Sequence, residues 1–75
     1  MRGISMYIMA HDDDIWRNWA RTRREIQRRW TQLTVGDLDI IAGDRERLVV
    51  RIVDRYGIAK EWADHQVGQW ERQEA

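Results

Sequence analysis

Apolar side chains recur with helical spacing along most of this chain. Ile15, Trp19, Ile26 and Trp30 stand at offsets that a period of 3.6 residues places on one face, with polar residues between them. The spacing predicts a first helix over 14–31, with Trp16 flanking the apolar face. Asp12, Asp13 and Asp14 precede it, where carboxylates accept orphan N–H groups and favour the positive end of the helix dipole.

The stretch LTVGDLDIIAGD follows. Thr34 with Asp37 three residues on reads as a capping box opening a short helix over 35–42, whose apolar face is Leu38, Ile40 and Ile41. Gly43 suits the left-handed end of that helix, and Asp44 caps a third helix over 45–56. There Leu48, Val49, Ile52, Val53 and Tyr56 form one stripe, with Val50 off it, before Gly57. A fourth helix over 59–72 carries Ala59, Ala63, Val67 and Trp70 on one face and Trp62 at its edge. The expected core is Trp19, Ile26, Trp30, Leu38, Ile41, Leu48, Ile52, Tyr56, Ala63, Val67 and Trp70. The fold class is all-α, a compact bundle of about four short helices.

Composition sharpens this picture. With 75 residues the chain is one small domain, and its five tryptophans supply much of the core area. Without cysteine there is no disulfide or thiolate metal site, which fits a reducing cytoplasm, the expected location. The apolar part of MRGISMYIMA is short and broken and three aspartates follow soon after it, so export is not expected, and no apolar run reaches membrane-spanning length.

The net charge is zero but unevenly distributed, with a surplus of five positive charges between Ile15 and Leu33. On a helical wheel Arg17, Arg21, Arg24 and Arg28 form a stripe nearly opposite Trp19 and Ile26. That stripe is long enough to meet several phosphates, so it is the candidate polyanion-binding face. The favoured reading is a solvated face, because the acidic segments Asp12 to Asp14 and Asp37 to Glu46 adjoin it and repel the same phosphates. Arg23 points nearer the apolar face, where its stem can cover Trp19 or Trp30.

The segments NWARTRREIQRRWTQLT, DLDIIAG, Arg55-Tyr56-Gly57-Ile58-Ala59-Lys60 and the ending from Gln66-Val67 to Trp70-Glu71 resemble the CsbD-like family of small bacterial stress-response proteins. The likeness runs from Asn18 to about Glu71 without a gap. It implies a bundle of about four helices, described in some members as two orthogonally packed hairpins, and a role in the bacterial general stress response. It brings no catalytic or ligand-binding residue with it. Thr22 stands where members often have Leu or Phe, Arg24 and Val50 where glycine is usual, and Trp62 where a charged or small residue is typical, departures that bear on the surface. Members commonly begin with a short acidic segment before Asn-Trp, as in MAHDDDIWRNW, so residues 1–8 read as an upstream extension. The organisation expected is a flexible segment over 1–13 and a CsbD-like domain over 14–73, the alternative for the N-terminus being a first turn that packs Tyr7 and Ile8 on the core.

Chemistry is sparse. His65 and Asp64 are neighbours in sequence but diverge by about 100° on a helix, so they form no ready dyad. No catalytic residue, metal site or cofactor is expected, and the protein is read as a monomeric non-enzyme with no membrane partner. Trp62 is expected to cover the edge of the core. The competing reading makes Trp62 and Val50 a partner contact.

Overall fold

Three of the four principal helices start at a side chain that accepts their orphan backbone N–H groups, in a computed structural model that describes residues 15–74. The expectations for residues 1–14, the HDDD cap among them, lie outside the described residues. Helix α1 spans Trp19–Arg29, α2 Val35–Ile41, α3 Arg45–Tyr56 and α4 Lys60–Glu74. No strand occurs among the described residues, and the all-α class holds.

The first expected helix is interrupted. Residues 15–17 make one helical turn, the backbone leaves helical geometry at Asn18 (φ −94°, ψ 69°), and the Asn18 side chain accepts the Arg21 N–H to start α1. Asparagine competes well for this role because its short amide mimics the missing carbonyl of a preceding turn. The separate turn is fastened back by the buried Thr22 hydroxyl, which donates to the Ile15 carbonyl. Thr22 is therefore an interior residue, and not the surface position it was expected to be.

Helix α2 carries the expected capping box, with Thr34 Oγ1 accepting the Asp37 N–H at 3.0 Å and Asp37 Oδ2 accepting the Thr34 N–H at 3.0 Å. Its end differs from expectation, since Ala42 already enters the left-handed region at φ 46° and Gly43 follows at 85°. A Cβ in that conformation costs roughly 1–2 kcal/mol, while glycine adds about 0.4–1 kcal/mol of unfolded-state entropy. Ala42→Gly should therefore stabilise the protein by about 0.5–1 kcal/mol, read as a higher urea midpoint at unchanged slope. An unmoved or lower midpoint would mean that the turn is not strained.

Asp44 caps α3 through bonds from the Glu46 and Arg47 N–H groups, and Gly57 ends it at φ 64° with its N–H on the Val53 carbonyl at 2.9 Å. Helix α3 packs against both α2 and α4. The core comprises Ile26 from α1, Trp30 and Leu33 from the loop after it, Leu38 and Ile41 from α2, Leu48, Val49 and Ile52 from α3, and Ala63, Val67 and Trp70 from α4. Full burial of each larger aliphatic contributes about 1.5–3 kcal/mol.

Four differences from the expected core have simple causes. Trp19 and Tyr56 are only partly buried at its margin, where the Tyr56 hydroxyl accepts the Gln32 N–H at 3.1 Å and pins the α1–α2 loop. Leu33 fills the space this loop encloses, and Val49 faces inward because α3 is contacted on two sides. Ile40, counted on the apolar face of α2, is 54% exposed, since a helix of seven residues turns only two or three positions to a neighbour.

Candidate functional site

The most enclosed charged group is Asp37, whose carboxylate sits at the start of α2 against α3. Arg55 reaches it with two guanidinium nitrogens, Nε to Oδ2 at 2.7 Å and Nη2 to Oδ1 at 3.0 Å, and Arg51 adds Nη1 to Oδ1 at 3.4 Å. The Arg55 hydrogen bonds hold the carboxyl well below the usual aspartate range; burial opposes this, and the Thr34 cap lowers it further. Asp37 reciprocally raises the Arg55 pKa. Every lone pair of the carboxylate faces a donor, so this is a joint between helices with no face left for a substrate.

A second network ties the N-terminal turn to the rest. Glu71 Oε2 accepts Trp16 Nε1–H at 2.7 Å and Arg45 Nε–H at 2.9 Å. Arg45 also pairs with Asp64, which holds Lys60 at 3.0 Å, and Lys60 reaches Glu46 at 3.3 Å. Lys60 lowers the Asp64 pKa, and Asp64 followed by Glu46 raises that of Lys60. Asp64 is thus directed at cations while the neighbouring His65 ring lies edge-on to Trp62 at 5.7 Å, the divergence expected of adjacent helical positions.

The arginines of the candidate polyanion face are all exposed, but the structure groups them differently from a single stripe. Arg21, Arg24 and Arg28 share the outer face of α1, whereas Arg17 belongs to the turn before Asn18 and is aligned with them by no common helix axis. Arg28 pairs with Glu25 at 3.5 Å, and Arg23, half-buried as expected, pairs with Asp39 at 3.2 Å. Among the described residues no ion pair engages Arg17, Arg21 or Arg24. Arg29 is exposed at the helix edge, its guanidinium carbon 5.1 Å from the centre of the Trp30 ring.

Of the carboxylates expected to repel an anion from this face, Asp12 to Asp14 lie outside the described residues, and those between Asp37 and Glu46 are engaged elsewhere. Asp37 is held by Arg55 and Arg51, Asp39 by Arg23, Asp44 by the α3 cap and Arg47, and Glu46 by Lys60. Their local fields are therefore largely compensated at short range.

The aromatic side chains are used internally. Trp16 stacks on Trp19 with centroids 6.5 Å apart and meets Trp70 edge-on at 6.0 Å, and Trp70 meets Trp30 at 5.5 Å. Trp62 departs from expectation, for it covers no core and stands 62% exposed. The shallow depression beside it is lined by Glu61, Trp62 and His65 and does not include Val50, so the two proposed contact residues are not united there. The paired networks of Asp37 and Glu71 escaped the sequence reading. For Asp37 the one signal was Arg51 and Arg55 flanking the apolar stripe of α3, cations at a core margin that need a carboxylate opposite.

Among the described residues no three potential metal ligands cluster, and no helix is long and apolar enough to cross a membrane. The chain is similar to the UPF0337 protein YjbJ of Escherichia coli O6:H1, with 37% identity over 60 residues that cover 80% of this chain and 87% of that one. It is also similar to UPF0337 proteins of Pectobacterium atrosepticum, at 43% over 54 residues covering 72% and 78% of the two chains, and of Nitrosomonas europaea, at 43% over 51 residues covering 68% and 54%. No family model matches the chain. No solved structure matches it either.

Proposed function

Because the chain belongs to the UPF0337 family, whose relatives here are bacterial, we propose that it is a small non-enzymatic stress-response protein of the CsbD-like kind, acting through its surface and not through bond chemistry. The observation that carries this reading is the fate of the acidic groups. Asp37, Asp64 and Glu71 are each paired with cations of the same chain, in arrangements that join helices. General acid–base catalysis needs a titratable group free to meet a bound substrate, and these carboxylates are occupied by cations of their own chain. The sequence likeness to CsbD-like proteins supplies the stress-response part.

The test is made in the bacterium that encodes the chain. Its abundance should rise on heat, salt or ethanol shock or on entry into stationary phase, and a deletion strain should survive at least one of these stresses less well than its parent. Flat abundance together with unimpaired survival under all four would overturn the reading.

A further inference from the structure

We propose that the outer face of α1 docks the phosphate backbone of double-helical DNA, with Arg21, Arg24 and Arg28 as the phosphate-contacting side chains and Arg17 and Arg29 flanking them. The inference rests on the reading that the protein acts by binding, and it names the partner.

Charge placement is the first support. The carboxylates of α2 and of the first turn of α3 are engaged by Arg23, Arg47, Arg51, Arg55 and Lys60, and among the described residues no carboxylate pairs with Arg21 or Arg24 on the outer face of α1, where Arg28 meets only Glu25 of its own helix. Arg24 and Arg28 stand four residues apart and repel each other, an arrangement that a bridging anion relieves. From Arg21 to Arg28 the face extends about 10.5 Å along the helix, a length over which duplex DNA carries on the order of six phosphate charges.

The chemistry of the face selects among polyanions. Its other outward positions are Ala20 and Gln27, and the tryptophans of this region are buried or stacked among themselves, so bases of a single strand find no platform. A lipid surface needs an amphipathic helix that can insert its apolar side, and the apolar side of α1 faces the core. A convex helix face fits the wide major groove of B-form DNA, about 12 Å across, better than the deep, narrow one of an RNA duplex. Phosphate contacts fix position and carry no sequence information, so binding through these arginines is independent of sequence.

Fluorescence anisotropy of the full chain with a short labelled DNA duplex, between about 50 and 200 mM salt, tests this. The three phosphate contacts of α1, with the flanking Arg17 as a fourth, give a slope of log affinity against log salt of about −3 to −4. The variant carrying Arg17→Gln, Arg21→Gln, Arg24→Gln and Arg28→Gln should lose most of that slope while melting like the parent, and Arg72→Gln, exposed on α4, should leave it unchanged. Should the quadruple variant not fold, Arg21→Gln with Arg24→Gln should still remove about half of the slope. No binding by the parent at about 50 mM salt, equal slopes for parent and variants, or stronger binding to single-stranded DNA or to phosphatidylglycerol vesicles would each overturn the proposal. Such a result beside an intact stress phenotype sinks only the DNA partner; a missing stress phenotype leaves the binding slopes to be judged by themselves.

Discussion

An Asp37→Ala chain should lose about 3–4 kcal/mol of stability, a large share of what so small a domain has. Removing one partner of a buried ion pair costs about 3–5 kcal/mol when the other charge is stranded in the interior. Here the Arg55 side chain is 44% exposed and can recover hydration, which moves the expected loss to the lower end. Loss of the reciprocal bond to Thr34 adds about 1 kcal/mol at the helix start. The acid limb separates this ion pair from simple packing. Because the folded Asp37 carboxyl titrates below an unfolded aspartate at about 3.9, its contribution is complete well above pH 4 and fades as the pH falls through and below that value. The parent should therefore weaken more steeply than Asp37→Ala as the pH is lowered from about 5 to 3, measured by urea melts. Parallel acid limbs would show that Asp37 is not held ionised.

Trp30→Ala should cost about 3–5 kcal/mol, lowering the melting temperature by more than about 12 °C. The indole is fully enclosed where α1 ends; it meets Trp70 edge-on, and its N–H reaches Gln66 Oε1 at 3.2 Å. Truncation thus opens a cavity between α1 and α4 and removes a partner from Gln66. Trp30→Phe keeps most of the volume and should cost clearly less. If Trp30→Ala melted within a few degrees of the parent, the aromatic contact between α1 and α4 would not be central to the fold.

The local signals in the chain were strong where caps and periodicity agreed. Asp44 and Gly57 bracket α3 at the expected residues, and Thr34 with Asp37 opens α2 as read. The break at Asn18 was hidden because Ile15 and Trp19 are spaced like consecutive helical turns, and the three aspartates offered a competing start. Only tertiary contact decides between them, through the Thr22 hydroxyl on the Ile15 carbonyl and Trp16 on Glu71. Asp37 illustrates the same limit. Its capping role is written in a three-residue spacing, whereas its pairing with Arg55 depends on how α3 lies across α2, which no pattern within either helix encodes. The shared face of Arg21, Arg24 and Arg28 was legible from spacing, but the separation of Arg17 from it and the balance of charge around it were not. Segment sums treat Asp37, Asp39 and Glu46 as free acids, although each is held by a cation of its own chain.

The bond from Trp16 to Glu71, with the Trp16 ring on Trp70, closes the chain upon itself across 55 residues of separation. The chain path is thus nearly a ring, whose first and last described segments are stapled side by side. Bonds of such long separation gain nothing until both segments have been ordered, so in folding they form as a latch after the helical pairs α2–α3 and α3–α4. A circular permutant that joins these segments by a short linker and opens the chain in the turn at 57–59 would keep every helix intact, and in it the latch would become a local contact. What is now the slowest closure would then be among the easiest.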